Sequence, residues 1–430
     1  MTLQNDEPLL RQLTVTGIWL LAVNGFIGAG IFGSPAEVAR LTGAWSPLLF
    51  AGCGLLMLTV ILCFAEVSSY FKNTGGPILY ARTVFGSFAG FQTGWAFYIA
   101  RLTAFAANNN LLVSTLGYFN DDIATGLSRI VIILVIVAGL AWINIAGTKR
   151  AMDSIGILTV LKFLPLLLLI AFGISFLDRS VLPQGISSLP DYTSAGTAAL
   201  LVIYAFVGWE AAVIPAGETK NPSKTIPSAL LLALLTVTLL YVGIQYVALA
   251  AVPDLATSTR PLVEAADAIM GPIGALLLTA GIVVSVGGNI AGTVVTTPRI
   301  TYALARENSL PAWFANVHEK YRTPNHSILF FAVVAFLLSI YGSFVWLAAM
   351  SALVRILIYI ICVICIPWLR KNRASETSFQ LPGGLAIPIV AVVVCLWLLS
   401  AVSLASWTPT LLFLSIGTVL FFGVKKIKSF

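Results

Sequence analysis

Charge is what this 430-residue chain lacks. Only 10% of its residues are charged, against about a quarter in a soluble domain. A soluble globular protein is excluded on that ground. Histidine is scarcer still: His318 and His326 are the only two, and neither has a carboxylate at catalytic spacing, so both read as surface residues. There are five cysteines, all in apolar segments. Cys362 and Cys365 form a C-x-x-C that puts both thiols on one helix face, but no second pair or histidine cluster completes a metal site, and the thiols read as small core residues. No H-E-x-x-H, G-x-S-x-G, paired membrane aspartates or G-x-x-x-x-G-K-[ST] nucleotide loop is present. An intramembrane enzyme is therefore not expected, nor any cofactor or metal, and a transport cycle would draw on a gradient rather than ATP. A basic n-region with a cleavage site is also missing, so no cleaved leader is expected and the first helix is the insertion signal.

What the chain has is apolar length. Hydrophobic residues make up 59% of it, and mean hydropathy is +0.97. Runs long enough to cross a roughly 30 Å hydrocarbon core recur throughout. The fold class is thus an all-α polytopic membrane protein, one transmembrane domain over 1–430. Twelve spans are predicted, near 15–40, 46–70, 85–118, 128–146, 152–177, 192–216, 227–251, 270–302, 327–345, 348–368, 384–404 and 408–424. Of the 24 lysines and arginines, most fall in loops on one side. Arg40, Arg129, Arg179 and Arg260 fall on the other, and Arg101, Lys162 and Arg355 within spans. The positive-inside rule then places both termini in the cytoplasm of a cell membrane. It also accounts for the net charge of +7 without a nucleic-acid partner.

Two spans are built to break. Asn24 to Pro35 reads N-G-F-I-G-A-G-I-F-G-S-P, with glycines at 25, 28, 30 and 33. Each costs about 1 kcal/mol relative to alanine inside a helix, and unwound backbone at membrane depth is tolerated only in protein or beside a wet cavity. The sixth span carries Gly208, Pro215 and Gly217 beside Glu210. Interrupted segments at matching places in two halves point to an inverted-repeat transporter, with repeats over 12–180 and 190–370 and two trailing helices in 371–430. Polar residues gathered at two breaks, rather than along a continuous pore, argue against a channel.

At these two motifs the chain resembles the amino acid–polyamine–organocation superfamily of permeases. G-x-I-G-A-G-I-F-x-x-P in the first span carries the resemblance, as does F-x-G-W-E followed by E-T-K-N-P-x-x-x-I-P from Phe206 to Pro227. The resemblance implies a five-plus-five repeat and amino acid transport by alternating access. It assigns the amides around Ile27, Gly28, Ala29 and Gly30 to the substrate carboxylate, and the carbonyls of Phe26, Tyr204 and Val207 to its ammonium. Tyr204, beside Ala205, takes the role of an aromatic gate. The side-chain pocket it implies involves Ala106, Asn109, Val207, Trp209, Ser285, Asn289 and Arg355. Independently, amides at a half-helix start suit a carboxylate.

Lys162 lies roughly 18 Å up its helix from Arg150, near mid-membrane, where a lysine is a functional-site hypothesis by default. By the same resemblance it would contact carbonyls of the broken first span and the Ser285 hydroxyl. Two roles stay open: a group that loads and releases a proton each cycle, giving symport, or a fixed charge bracing an exchanger. Glu210 could relay protons, but bonding to freed amides or gating suits it better. Arg101 could favour an acidic side chain, pair with Glu210 or cap carbonyls. Arg355 has no charged partner in view and could belong to an outer gate, and Glu66 could meet a nearby cytoplasmic base. The expectation is a neutral amino acid carried with protons across the bilayer, with exchange or sensing as alternatives. No feature of the chain reads on a partner subunit.

Overall fold

The computed structural model describes residues 11–147, 155–176, 181–183, 185, 189–373 and 379–428. Among the loop cations, Lys149, Arg150 and Arg179 lie outside these residues. The described chain is helical, with no β-strand beyond one isolated parallel bridge between Leu13 and Thr219.

The first span forms in three pieces: α1 (Val15–Phe26), α2 (Ala29–Gly33) and α3 (Pro35–Thr42). The Thr14 side chain caps α1 by accepting from the Gly17 N–H at 3.4 Å. α4 (Ser46–Ser69) returns, a short α5 (Gly76–Phe85) follows, and α6 (Ser87–Leu116), α7 (Gly126–Ala146) and α8 (Ile155–Gly173) complete the first half. The second half opens with α9 (Tyr192–Ala205) and short 3₁₀ turns at Trp209–Val213 and Ala216–Glu218. It continues through α10 (Pro222–Ala251), α11 (Pro261–Thr296), α12 (Pro298–Arg306), α13 (Asn325–Tyr341) and α14 (Phe344–Asn372). α15 (Ala386–Ser400) and α16 (Leu404–Lys428) follow.

Among the described residues, seven stretches are long and apolar enough to cross a membrane, and four shorter apolar helices accompany them. α6 falls outside that set, since its 30 residues include Gln92, Arg101 and three successive asparagines. The predicted eighth span, 270–302, begins at an observed break, but its far end runs past α11 into a separate helix. α11 starts at Pro261 and kinks at Gly271, whose φ of +69° is open to glycine and strained for other residues. Pro272 then starts the second leg, and Pro298 starts the separate α12.

Burial sorts the helices into centre and rim. In α14, 72% of the apolar window is buried, against 22% in α7 and 17% in α16. The outward faces of those rim helices present Leu127, Val135, Trp142, Leu412 and Val419, as lipid-facing surface requires. α10 packs on α4 and α1, α14 on α6, and α11 on α8, so the broken first span lies inside the bundle.

A buried ion pair ties the rim to the centre. Glu66, at the end of α4, accepts from Arg370 Nε and Nη2 of α14 at 2.7 Å each, and from the Leu381 N–H at 2.9 Å. The base sought for Glu66 is therefore Arg370. Removing Arg370 would strand the fully buried Glu66 carboxylate. Arg370→Ala is expected to cost about 3 kcal/mol, measured as a lowered unfolding midpoint in detergent.

Candidate substrate site

The site begins where the two broken spans touch. α1 stops at Phe26, Ile27 and Gly28 are extended, and the helix resumes at Ala29. α9 stops at Ala205, and Gly208 turns the chain with φ of +106°. A Cβ on Gly25 would lie 2.3 Å from the Gly208 carbonyl oxygen, and a Cβ on Gly208 2.2 Å from that of Gly25. The two backbones meet with no room for a side chain. Tyr241 of α10 joins them further, its hydroxyl donating to the Phe26 carbonyl at 2.8 Å and the Ala205 carbonyl at 3.2 Å. The Gly28 N–H also donates to the Phe26 carbonyl, at 3.0 Å. Both lone pairs of that oxygen are thus engaged, so a substrate ammonium at the Phe26 carbonyl would have to share or displace one of these bonds.

Beside this contact lies a cavity of about 290 Å³. Of the residues expected at the substrate, Phe26, Gly28, Ala29, Gly30, Tyr204 and Val207 line it, with Lys162, Asn289 and Arg355. The others do not. Ile27 is buried, and Ala205 is the surface on which Gly30 packs, where a Cβ would lie 2.4 Å from its Cα. Trp209 stacks on Tyr359 and sets its ring edgewise to Phe64. Asn109 turns to α13, where its amide donates to Ser339 Oγ at 3.4 Å, and Ala106 is buried in α6 packing. Asn108 takes the cavity position instead, because one residue turns a helix by about 100°. Its Oδ1 accepts from the Ala29 N–H at 2.9 Å, and its amide reaches Asn289 at 3.4 Å.

Lys162 stands against the first break. Its Nζ donates to Asn24 Oδ1 at 2.7 Å and approaches the Ile27 carbonyl at 3.5 Å. The expected bond to Ser285 is absent: that hydroxyl is fully buried and has no partner among the described residues. Lys162 makes no ion pair among the described residues.

Glu210 sits behind the cavity wall rather than in it. Its Oε2 accepts from the Gly208 N–H at 2.7 Å, and its Oε1 from the Tyr359 hydroxyl, with Arg355 Nε at 3.4 Å. The charged partner that sequence could not supply for Arg355 is Glu210. Arg101 instead donates to Thr297 Oγ1 at 3.0 Å and Thr296 Oγ1 at 2.6 Å, with its guanidinium over the Phe97 ring. Among the described residues no aspartate or glutamate lines the cavity. Among the described residues no group of three or more His, Cys, Asp or Glu gathers.

The family model described as amino acid permease matches residues 12–423. This chain belongs to that family. The family consists of membrane transporters, and the protein is a multi-pass transporter, not an enzyme. It is similar to the serine/threonine exchanger SteT of Bacillus subtilis (29% identical, 99% of each chain covered). It is also similar to the branched-chain amino acid permease BcaP of that organism (26%, covering 97% of this chain and 93% of BcaP). The solved structure of MhsT in complex with L-phenylalanine shares its fold, with a TM-score of 0.64 over 92% of this chain and 100% of that one at 14% identity.

In this permease the cavity lining runs from Gly28 to Thr293 and Thr296 in the last turn of α11. That is the end of the bundle at which α1 begins. At the opposite end, Tyr204 packs edge-on against Phe344, with centroids 6.0 Å apart, and Gly33 abuts the same ring. Asn24, Asn108 and Tyr241 are the site residues that sequence reasoning missed. Each is a polar residue inside an apolar span, which is the signal that could have found them.

Proposed function

We propose that the protein is a secondary active transporter that moves a neutral amino acid by alternating access, coupled to protons through Lys162. The observation that carries the reading is the contact of Gly25 with Gly208 beside a cavity lined by Arg101, Lys162 and Arg355, with no carboxylate among its described lining residues. Such a place suits a carboxylate head group and disfavours lysine or arginine as substrate. Twelve spans in two inverted repeats, 12–180 and 190–370, with both termini cytoplasmic, complete the arrangement. In that orientation the cavity faces the cytoplasm and the Tyr204–Phe344 contact closes the outside.

Lys162 supports coupling because it joins the unwound backbone of the first span without a carboxylate partner. Loss of its proton would remove the charge from the contacts with Asn24 and the Ile27 carbonyl and weaken both together, loosening the break that holds the substrate. Exchange is the second reading, favoured by the 29% identity over the whole chain to a protein named as an exchanger.

Reconstituted uptake separates the two. A pH gradient, inside alkaline, is expected to drive accumulation of a neutral amino acid into empty proteoliposomes. Lys162→Ala is expected to keep counterflow while accumulation falls to background. Accumulation that needs a preloaded amino acid and ignores pH would favour exchange. Unchanged accumulation in Lys162→Ala would remove the lysine as proton carrier.

A further inference from the structure

We propose that Arg101 and Arg355 form a second subsite in the cavity, which binds one small monoanion apart from the amino acid head group. The inference rests on the transporter reading above for the identity of the cavity, but not for the charge arrangement itself.

The two arginines face one cavity. Arg355 Nη1 donates to the carbonyl of Ala100 at 3.2 Å, one residue before Arg101, and both side chains line the same cavity. Their charges are not balanced. Glu210 is the carboxylate in reach, and it is shared among Arg355, the Tyr359 hydroxyl and the Gly208 N–H. Even the Arg355 contact is loose, since Nε has no hydrogen bond although it lies 3.4 Å from the carboxylate. Arg101 has only neutral company: two threonine hydroxyls and an aromatic ring. Two like charges facing one cavity repel, and an anion between them would relieve that repulsion.

Donors are left over as well. Neither Arg101 Nη1 nor Arg355 Nη2 has a hydrogen-bond partner among the described residues. A guanidinium holds its five donors in a fixed plane, which suits an anion better than a neutral acceptor. The head-group region near Gly28 and Ala29 lies beside Asn108, two turns along α6 from Arg101, so one anion at each place is sterically compatible.

The monoanion can arrive in two ways. It can be a free chloride beside a neutral amino acid, or the side-chain carboxylate of an acidic amino acid. The first keeps the neutral-substrate reading and the second replaces it.

Purified protein is titrated with sodium chloride against sodium gluconate, and separately with aspartate and glutamate, reading the unfolding midpoint. In proteoliposomes, serine uptake is measured in chloride and in gluconate, and with aspartate as competitor. A midpoint raised by chloride, with serine uptake stimulated by chloride, supports the free-anion arm. A midpoint raised by aspartate or glutamate, with strong competition, supports the side-chain arm. In either case Arg101→Gln is expected to lose the response, at least tenfold in apparent affinity, relative to its own anion-free baseline. If neither chloride nor an acidic amino acid shifts the wild-type midpoint or alters uptake, the subsite does not exist. Should no amino acid be transported at all, the function fails, while the midpoint titration still decides the subsite.

Discussion

Gly208→Ala is expected to abolish uptake. The residue turns with φ of +106°, a conformation that costs an ordinary residue about 1–3 kcal/mol. Its new Cβ would also fall 2.2 Å from the Gly25 carbonyl oxygen. That obstacle is backbone rather than a flexible side-chain tip, so α1 and the 3₁₀ turn after α9 must separate. Gly25→Ala meets the reciprocal clash, at 2.3 Å from the Gly208 oxygen, and is expected to behave alike. Gly52→Ala and Gly139→Ala are the controls. Both lie within helices with open space where a Cβ would go, and alanine is favoured over glycine there by about 1 kcal/mol. Uptake and the detergent unfolding midpoint are measured together. Wild-type uptake in Gly208→Ala would mean that the two breaks do not meet as described.

Glu210→Leu is expected to be the most destabilising change at the cavity wall. It strips Arg355, itself 5% exposed, of its counter-charge, and leaves the Tyr359 hydroxyl and the Gly208 N–H without their acceptor. Breaking one side of a buried pair costs about 3–5 kcal/mol. Glu210→Leu combined with Arg355→Leu is expected to recover much of that loss, because replacing both members with apolar groups removes the stranded charge. The double-mutant cycle reads this directly as a coupling energy. Additive losses would mean that Glu210 and Arg355 do not act as a pair.

The breaks and the membrane class were legible in sequence because they rest on local chemistry. Glycine density at 25–33 and the Gly208–Pro215 interruption are properties of the chain itself, whatever packs around them. Lys162 was legible for a similar reason, since an amine in an apolar run needs a purpose. What could not be read was rotation about a helix axis. Asn108 and Asn109 are adjacent and chemically identical, and only the packing of α6 against α13 sends Asn109 to Ser339 and Asn108 to the cavity. The same limit hid the pairing of Arg355 with Glu210, which lie 145 residues apart by their numbering. It also hid the Tyr241 hydroxyl that occupies the Phe26 carbonyl. The start of the eighth span was legible because Gly271-Pro272 is a turn signal in its own right, while its extension to residue 302 overran the break at Pro298.

Amino acid flux through the purified protein is the most direct test of transport. Proteoliposomes carrying only this chain should show saturable uptake of a labelled neutral amino acid, competed by other neutral amino acids and not by lysine or arginine. No saturable amino acid flux under any imposed gradient, or best competition by a cationic amino acid, would contradict it.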